Sequence, residues 1–282
     1  MCCRGSIYLG VLLACLGLLS TNTYADKQTD KTRLLMEKSG LVTTINTVFP
    51  GVLKALKKEG KHLPRGVFKE VHQKAREVYN PKQMYEQVYE KIEGKFSLTT
   101  TETVMAWLDS NLGKVITQAE KLGSRPESKD LALQYRRSAV GKEIKPNRLA
   151  LFKRLDAASK TTENTVKITL ATSLGVKIAL DAQNPFEKRQ GREKIRLALF
   201  ENTEPLNKII GQYVLDSFHY TYRKVGDEGL KRYVEFVESD AGHFFNVVIL
   251  DALNEVLLET GIRFGEEMTY IIIKARDNAR SV

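Results

Sequence analysis

Three observations predict an all-α fold for this chain. Apolar residues recur at steps of three and four, the spacing that lines one face of a helix. The prolines of Asn80-Pro81, Arg125-Pro126, Asn184-Pro185 and Glu204-Pro205 stand where helices should begin or stop. Two-residue alternation bounded by turns, the mark of a half-buried strand, is hard to find. The expected organisation is a leader over 1–25, an N-terminal helical repeat over 26–125, a basic connector over 126–158, and a C-terminal repeat with an extra terminal helix over 159–282. Two such degenerate repeats in tandem would pack as an elongated or two-lobed helical array.

The first segment, MCCRGSIYLGVLLACLGLLSTNTYADK, has a positive charge at Arg4, an apolar run from Ile7 to Leu19 and small residues at Thr23 and Ala25. That is the pattern of a secretory signal peptide cleaved after Ala25, read here as export to the periplasm. Lipidation at Cys15 is the competing reading, from Leu12-Leu13-Ala14-Cys15. The bulky Leu13 and the apolar run continuing through Leu19 count against it. A bilayer-crossing helix needs roughly 18 to 20 consecutive apolar residues, and no stretch after the leader approaches that, so no transmembrane span is expected in the mature chain. Cys2, Cys3 and Cys15 all lie in the leader. The mature chain therefore has no means to form a disulfide, a thiol nucleophile or a thiolate metal site.

In the N-terminal repeat, Val104, Leu108, Leu112, Val115, Ala119 and Leu122 step along one helical face. Val237, Ala241, Phe244, Val248 and Ala252 do the same in the C-terminal repeat, and NTVKITLATSLGVKIALDA reads as a helix through Val166, Leu170, Leu174 and Ile178. WLDSNLGK, from Trp107, and FVESDAGH, from Phe236, share one skeleton: aromatic, aliphatic, acid, Ser, two residues, Gly. Sliding the chain against itself by 129 positions extends that match without a gap. Leu41, Ile45 and Phe49 then fall on Leu170, Leu174 and Ile178, and Phe68 and Val71 on Leu197 and Phe200. Tyr89 and Phe96 fall on Phe218 and Val225, and Trp107, Ser110 and Gly113 on Phe236, Ser239 and Gly242. What the two copies retain is mainly the apolar register.

Two structural readings account for the skeleton. In one, a helix ends near Trp107 or Phe236 and Ser110 or Ser239 caps the next, its hydroxyl accepting an orphan backbone N–H. In the other the helix is unbroken, and Gly113 and Gly242 let a neighbouring backbone approach, at a cost of about 1 kcal/mol relative to Ala. Neither needs a substrate.

The second copy, GLKRYVEFVESDAGHFFNVVILDALNEVL, resembles the signature helical region of a family of exported, mainly Gram-negative proteins known as a domain of unknown function. Members carry an aromatic pair, then Ser-Pro-x-Gly. Phe236, Ser239 and Gly242 match that pattern, whereas Val237 replaces the second aromatic and Asp240 the proline; Leu108 and Asn111 depart likewise in the first copy. The resemblance covers about 50 residues of each half and implies export and helices, with no activity to carry over.

Catalytic signatures are missing. Glu238-Ser239 resembles the Glu-Ser head of lytic transglycosylases, whose glutamate is the general acid, but the downstream Gly-Leu-Met-Gln element is absent, and Asp109-Ser110 in the first copy reads as a surface acid before a cap. His62, His72, His219 and His243 include no i, i+4 pair, so no metal site is expected. No phosphate-cradling glycine loop precedes SAVGKE, and no Gly-x-Ser-x-Gly elbow occurs, so neither a cofactor nor a serine nucleophile is expected.

Charge is the remaining signal. The chain has 44 Lys plus Arg against 34 Asp plus Glu. Arg136, Arg137, Lys142, Lys145, Arg148, Lys153 and Arg154 crowd the connector, opposed by Glu143 alone. Such a patch attracts polyanions in a salt-dependent way. Outside the cytoplasm the partners would be anionic lipid, lipopolysaccharide or cell-wall polymer rather than nucleic acid, and Tyr135 alone is too little aromatic surface for base stacking. The function expected is thus a non-catalytic interaction or scaffold protein of the envelope that binds another protein. Polyanion binding through the connector is the alternative, and a cell-wall hydrolase a distant third.

Overall fold

The computed structural model describes residues 31–280 except 61–62, 126, 139–140, 142, 182–183 and 202, and every regular element among them is helical. The leader lies outside the described residues. A helical stretch over 31–38, α1, leads into α2 (Leu41–Glu59), α3 (Arg65–Val78), α4 (Pro81–Ile92), α5 (Leu98–Asp109) and α6 (Asn111–Gly123). The connector folds into α7 (Ser128–Arg137) and α8 (Pro146–Ser159). Then follow α9 (Thr161–Asp181), α10 (Arg192–Phe200), α11 (Glu204–Thr221), α12 (Asp227–Glu238) and the 41-residue α13 (Asp240–Arg280), about 60 Å long at 1.5 Å per residue. Local signals account for the starts. Pro81 and Pro146 occupy first-turn positions where their missing N–H is not needed, and the Asn80 side chain accepts from the N–H groups of Lys82 and Gln83.

Helices α9 and α13 form the spine. A Cβ on Gly175 would lie 2.4 Å from the carbonyl oxygen of Gly261, and one on Gly261 would lie 2.7 Å from that of Ala171, so only glycine lets these backbones come so close. Val166, Leu170, Leu174 and Ile178, the face expected of α9, are all buried. Asp240–Asn278 of α13 is long and apolar enough to cross a bilayer. In this fold its apolar residues Phe245, Leu253, Val256, Phe264 and Ile271 are core.

Two main cores sit on either side of the Ser110 and Ser239 corners. The first joins α1 to α5 with α9 and α13, through Met36, Ile45, Val71, Val88, Val104 and Phe264 among others. The second joins α6 to α8, α11 and α12, through Ile116, Phe152, Leu155, Phe218, Leu230 and Val237. Helix α6 adds its apolar residues to the core built by α8, α11 and α12, while α13 lies along α9 and adds its apolar residues to the core built by α1 to α5. In this exchange each core draws on helices of both halves. The connector belongs to the second core: Phe152 and Leu155 of α8 are enclosed there, and α7 packs on α11.

This exchange corrects one expectation. The run Val104 to Leu122 is not one apolar face, because the corner at Ser110 resets the helical phase. Leu108 faces the first core and Leu112 and Ile116 the second, which leaves Val115 and Leu122 54% and 43% exposed. Phe244, the counterpart of Val115, is 43% exposed for the same reason, while Phe245 and Ile249 are buried.

Candidate functional site

The repeated skeleton builds a tight helix–helix corner. Ser110 is extended (φ −64°, ψ 156°); its hydroxyl donates to the Trp107 carbonyl at 2.6 Å and accepts from the Gly113 N–H at 2.9 Å. Ser239 repeats this (φ −67°, ψ 154°), with 2.6 Å to the Phe236 carbonyl and 3.2 Å from the Gly242 N–H. A Cβ on Gly113 would fall 2.0 Å from the Trp107 oxygen, and one on Gly242 2.1 Å from the Phe236 oxygen. The capped break is the reading that holds, and the unbroken helix is overturned: each helix stops at the serine, and the glycine admits the carbonyl of the preceding helix's last turn. The acid of each skeleton is also anchored, Asp109 by Lys38 and Glu238 by Arg154. The two aromatics meet, with Trp107 stacked on Phe236 at a centroid distance of 4.5 Å and 8° between planes. Helices α5 and α12 begin and end 129 positions apart.

A third corner of the same chemistry closes α7. The Ser138 hydroxyl donates to the Tyr135 carbonyl at 2.6 Å and accepts from the Gly141 N–H at 3.1 Å, and a Cβ on Gly141 would lie 2.0 Å from the Tyr135 oxygen. Its signal is plain in YRRSAVGK, which has the aromatic, serine and glycine at the same spacing.

Where α6 crosses into the second core it carries Glu120. The Tyr222 hydroxyl, from the end of α11, and the Tyr233 hydroxyl, from α12, both donate to Glu120 Oε1, at 2.8 and 2.7 Å. Tyr233 also stacks on Trp107, 6.0 Å between centroids and 11° between planes. Burial pushes the Glu120 carboxyl above its ordinary range, and the tyrosine hydrogen bonds pull it part of the way back. Burial, with the Glu120 charge beside them, holds both tyrosine hydroxyls well above theirs.

Around this triad runs a cleft between the two cores, in two adjoining chambers of about 300 and 310 Å³ that share Glu120, Ser124, Ser159, Thr161 and Tyr233. Beside an apolar share from Leu155, Ile168, Leu250 and Leu253, most of the lining residues carry hydroxyl or amide side chains. Some are spoken for: the Ser124 hydroxyl donates to the Glu120 carbonyl, and Ser159 and Thr161 bond to each other. Among the described residues, the side chains of Thr44, Thr117, Ser217 and Asn246 have no hydrogen-bond partner. Nothing in Glu120 taken alone announces this site. Its one sequence signal is the repeat register, which sets Glu120 on Ile249, Tyr233 on Val104 and Tyr222 on Glu93.

The basic residues of the connector are only partly free. Arg136 pairs with Asp216 at 3.0 Å, Arg154 grips both oxygens of Glu238, and Arg148 pairs with Asp227 while donating to the carbonyls of Tyr222 and Val225. Arg137, Lys145 and Lys153 are exposed, and Lys142 lies outside the described residues. Glu238 is held below the usual carboxylate range by Arg154, the reverse of what a general acid needs. The histidines stand apart: His72 edges onto Phe49, His219 is buried between Tyr135 and Phe152, His243 is exposed, and His62 is outside the described residues. Among the described residues no group of three acids or histidines could hold a metal ion. Comparison with known proteins returns no match to a family model, a curated protein or a solved structure.

Proposed function

We propose that this is a non-catalytic binding protein of the bacterial envelope, and that what it binds sits in the hydroxyl-lined cleft between its two cores. One observation carries the reading: a carboxylate stands on α6 where the 129-residue register puts a core isoleucine, and two tyrosines from the other half hold it. Desolvating a carboxylate opposes folding, so a fold that already has an aliphatic solution in its other half gains nothing in stability from Glu120. Its second oxygen and the unpartnered Thr44, Thr117, Ser217 and Asn246 are groups that a ligand would satisfy. The leader-like residues 1–25 support the envelope location. Chemistry on the ligand is not supported, because the cleft holds one carboxylate and no nucleophile activated by a base.

The test is to extract small molecules from protein isolated from an envelope fraction and analyse them by mass spectrometry, beside a Thr117→Trp variant that fills the cleft. A compound released by the natural protein and missing from the variant is the expected result. Identical extracts would sink the reading.

Polyanion binding survives as a second reading on the exposed Arg137, Lys145 and Lys153. Co-sedimentation with anionic vesicles that fades between low and moderate salt would favour it.

A further inference from the structure

Resting on that reading of the cleft, we propose that the ligand is a small organic ammonium ion bearing hydroxyl groups, with its ammonium donating to Oε2 of Glu120. Both tyrosine hydroxyls converge on Oε1, and among the described residues Oε2 has no donor. The negative charge also has no cation to meet it. Lys121, which borders the same chamber, and Lys160 and Lys167, which line the recess beside it, make no ion pair with Glu120, and Lys167 is committed to Glu163 at 2.7 Å. An anionic ligand would be set against this carboxylate. A neutral one would leave it uncompensated in a partly desolvated site. A calcium ion takes about six to eight oxygen ligands, commonly with more than one carboxylate among them, and the cleft offers one carboxylate, with no group of three acids or histidines that could hold a metal among the described residues.

An ammonium meets the requirement with a charge-assisted hydrogen bond, and the surrounding threonine, serine and asparagine side chains are suited to hydroxyls on the same molecule. The aromatic ladder of Tyr233, Trp107 and Phe236 backs this wall of the cleft, so the tyrosine that orients Glu120 is itself held by stacking. Chambers of about 300 Å³ each fall at the small end of ligand sites, which suits an amino alcohol or an amino sugar better than a polymer.

Trp107 is the only tryptophan, and its contact with Tyr233 makes its emission a reporter of the cleft. The experiment titrates the full mature protein with glucosamine against glucose, and with ethanolamine against ethylene glycol, following Trp107 fluorescence and calorimetric heat. Each amine should bind at least about tenfold more tightly than its hydroxyl counterpart, the factor that 1.4 kcal/mol of differential binding gives. Glu120→Gln, with an unchanged far-ultraviolet circular dichroism spectrum, should erase that preference. The paired probes on the natural protein need no variant, so a poorly folded Glu120→Gln cannot shield the proposal. Equal binding of amine and alcohol would overturn the ammonium inference and leave the cleft as a binding site. If no probe binds by either readout, the cleft reading falls and this inference with it.

Discussion

The corners at Ser110 and Ser239 are built alike and lead into different chemistry. Past Ser239, α13 delivers Ile249 to the first core, which holds Val104 from α5. Past Ser110, α6 delivers Glu120 to Tyr233 and Tyr222 of the second half. Backbone geometry is shared down to the serine torsions and the glycine approach, so the scaffold does not require the carboxylate. The contrast separates what folds this chain from what it offers to a ligand. In the first core the register position is solved by apolar burial; beside the second it is solved by two hydrogen bonds that leave one oxygen over.

Putting the carboxylate into the wrong core should have the largest effect. Ile249→Glu removes a buried aliphatic side chain and introduces an acid into the first core, the cluster that also holds Val104. The expected loss is about 4 kcal/mol in urea denaturation, because an isolated buried charge adds to the cavity cost. A loss no larger than that of an ordinary surface change would mean the two positions do not differ in environment. The next effect tests what the corners share. Gly113→Ala and Gly242→Ala each drive a Cβ into a backbone carbonyl, and each should cost about 2 to 3 kcal/mol by opening its corner. Equal losses at both sites support equivalence of the corners; a tolerated alanine at either would break it.

The connector arginines sharpen the comparison on a smaller scale. Arg148 has a side chain only 12% exposed and donates to the Tyr222 and Val225 carbonyls at 2.6 and 3.1 Å, just where α11 ends beside the cleft. Arg148→Ala should cost about 2 kcal/mol, the scale of lost hydrogen bonds from a charged donor. Arg154→Ala, which breaks an exposed pair with Glu238, should leave the melting temperature unchanged within error. The reverse order would return the connector to the role of a solvated linker.

Much of this was legible in the residues, and the limits have physical causes. Helical class and the buried face of α9 follow from apolar spacing, and the doubled corner from its skeleton. Periodicity tells which face is buried but not against what. The sharing of each core between α6, α13 and the other half is therefore invisible to it, and Val115, Leu122 and Phe244, which the spacing sets on apolar faces, stay exposed. The third corner had its full signature in Tyr135, Ser138 and Gly141, overshadowed by the arginines inside it. Composition marks Arg136, Arg148 and Arg154 as a patch, while tertiary pairing spends them on α11 and α12. Glu120 reads as one more solvated glutamate, since Tyr222 and Tyr233 reach it from more than 100 positions away.

A modest, pH-dependent effect is the most specific to that carboxylate. Burial raises Glu120 above its ordinary value of 4.5 in the folded protein, so the folded state binds more protons than the unfolded one between 4.5 and the raised value. Stability contributed at this site therefore falls as pH rises through that window, and the deficit is complete above it. The carboxylates held low by basic partners, among them Glu86, Asp109 and Glu238, act with the opposite sign and at lower pH. Subtracting a Glu120→Gln variant from the natural protein cancels them. The difference in melting temperature should be flat below about pH 4.5 and then turn progressively in favour of the glutamine variant toward neutrality, by a modest amount because two tyrosine hydroxyls offset the burial. A ligand that brings its own positive charge should shrink that difference when bound, since the ionised carboxylate would then be matched. Parallel melting curves across the range would mean Glu120 is solvated like any surface acid, and the contrast with Ile249 would lose its functional meaning.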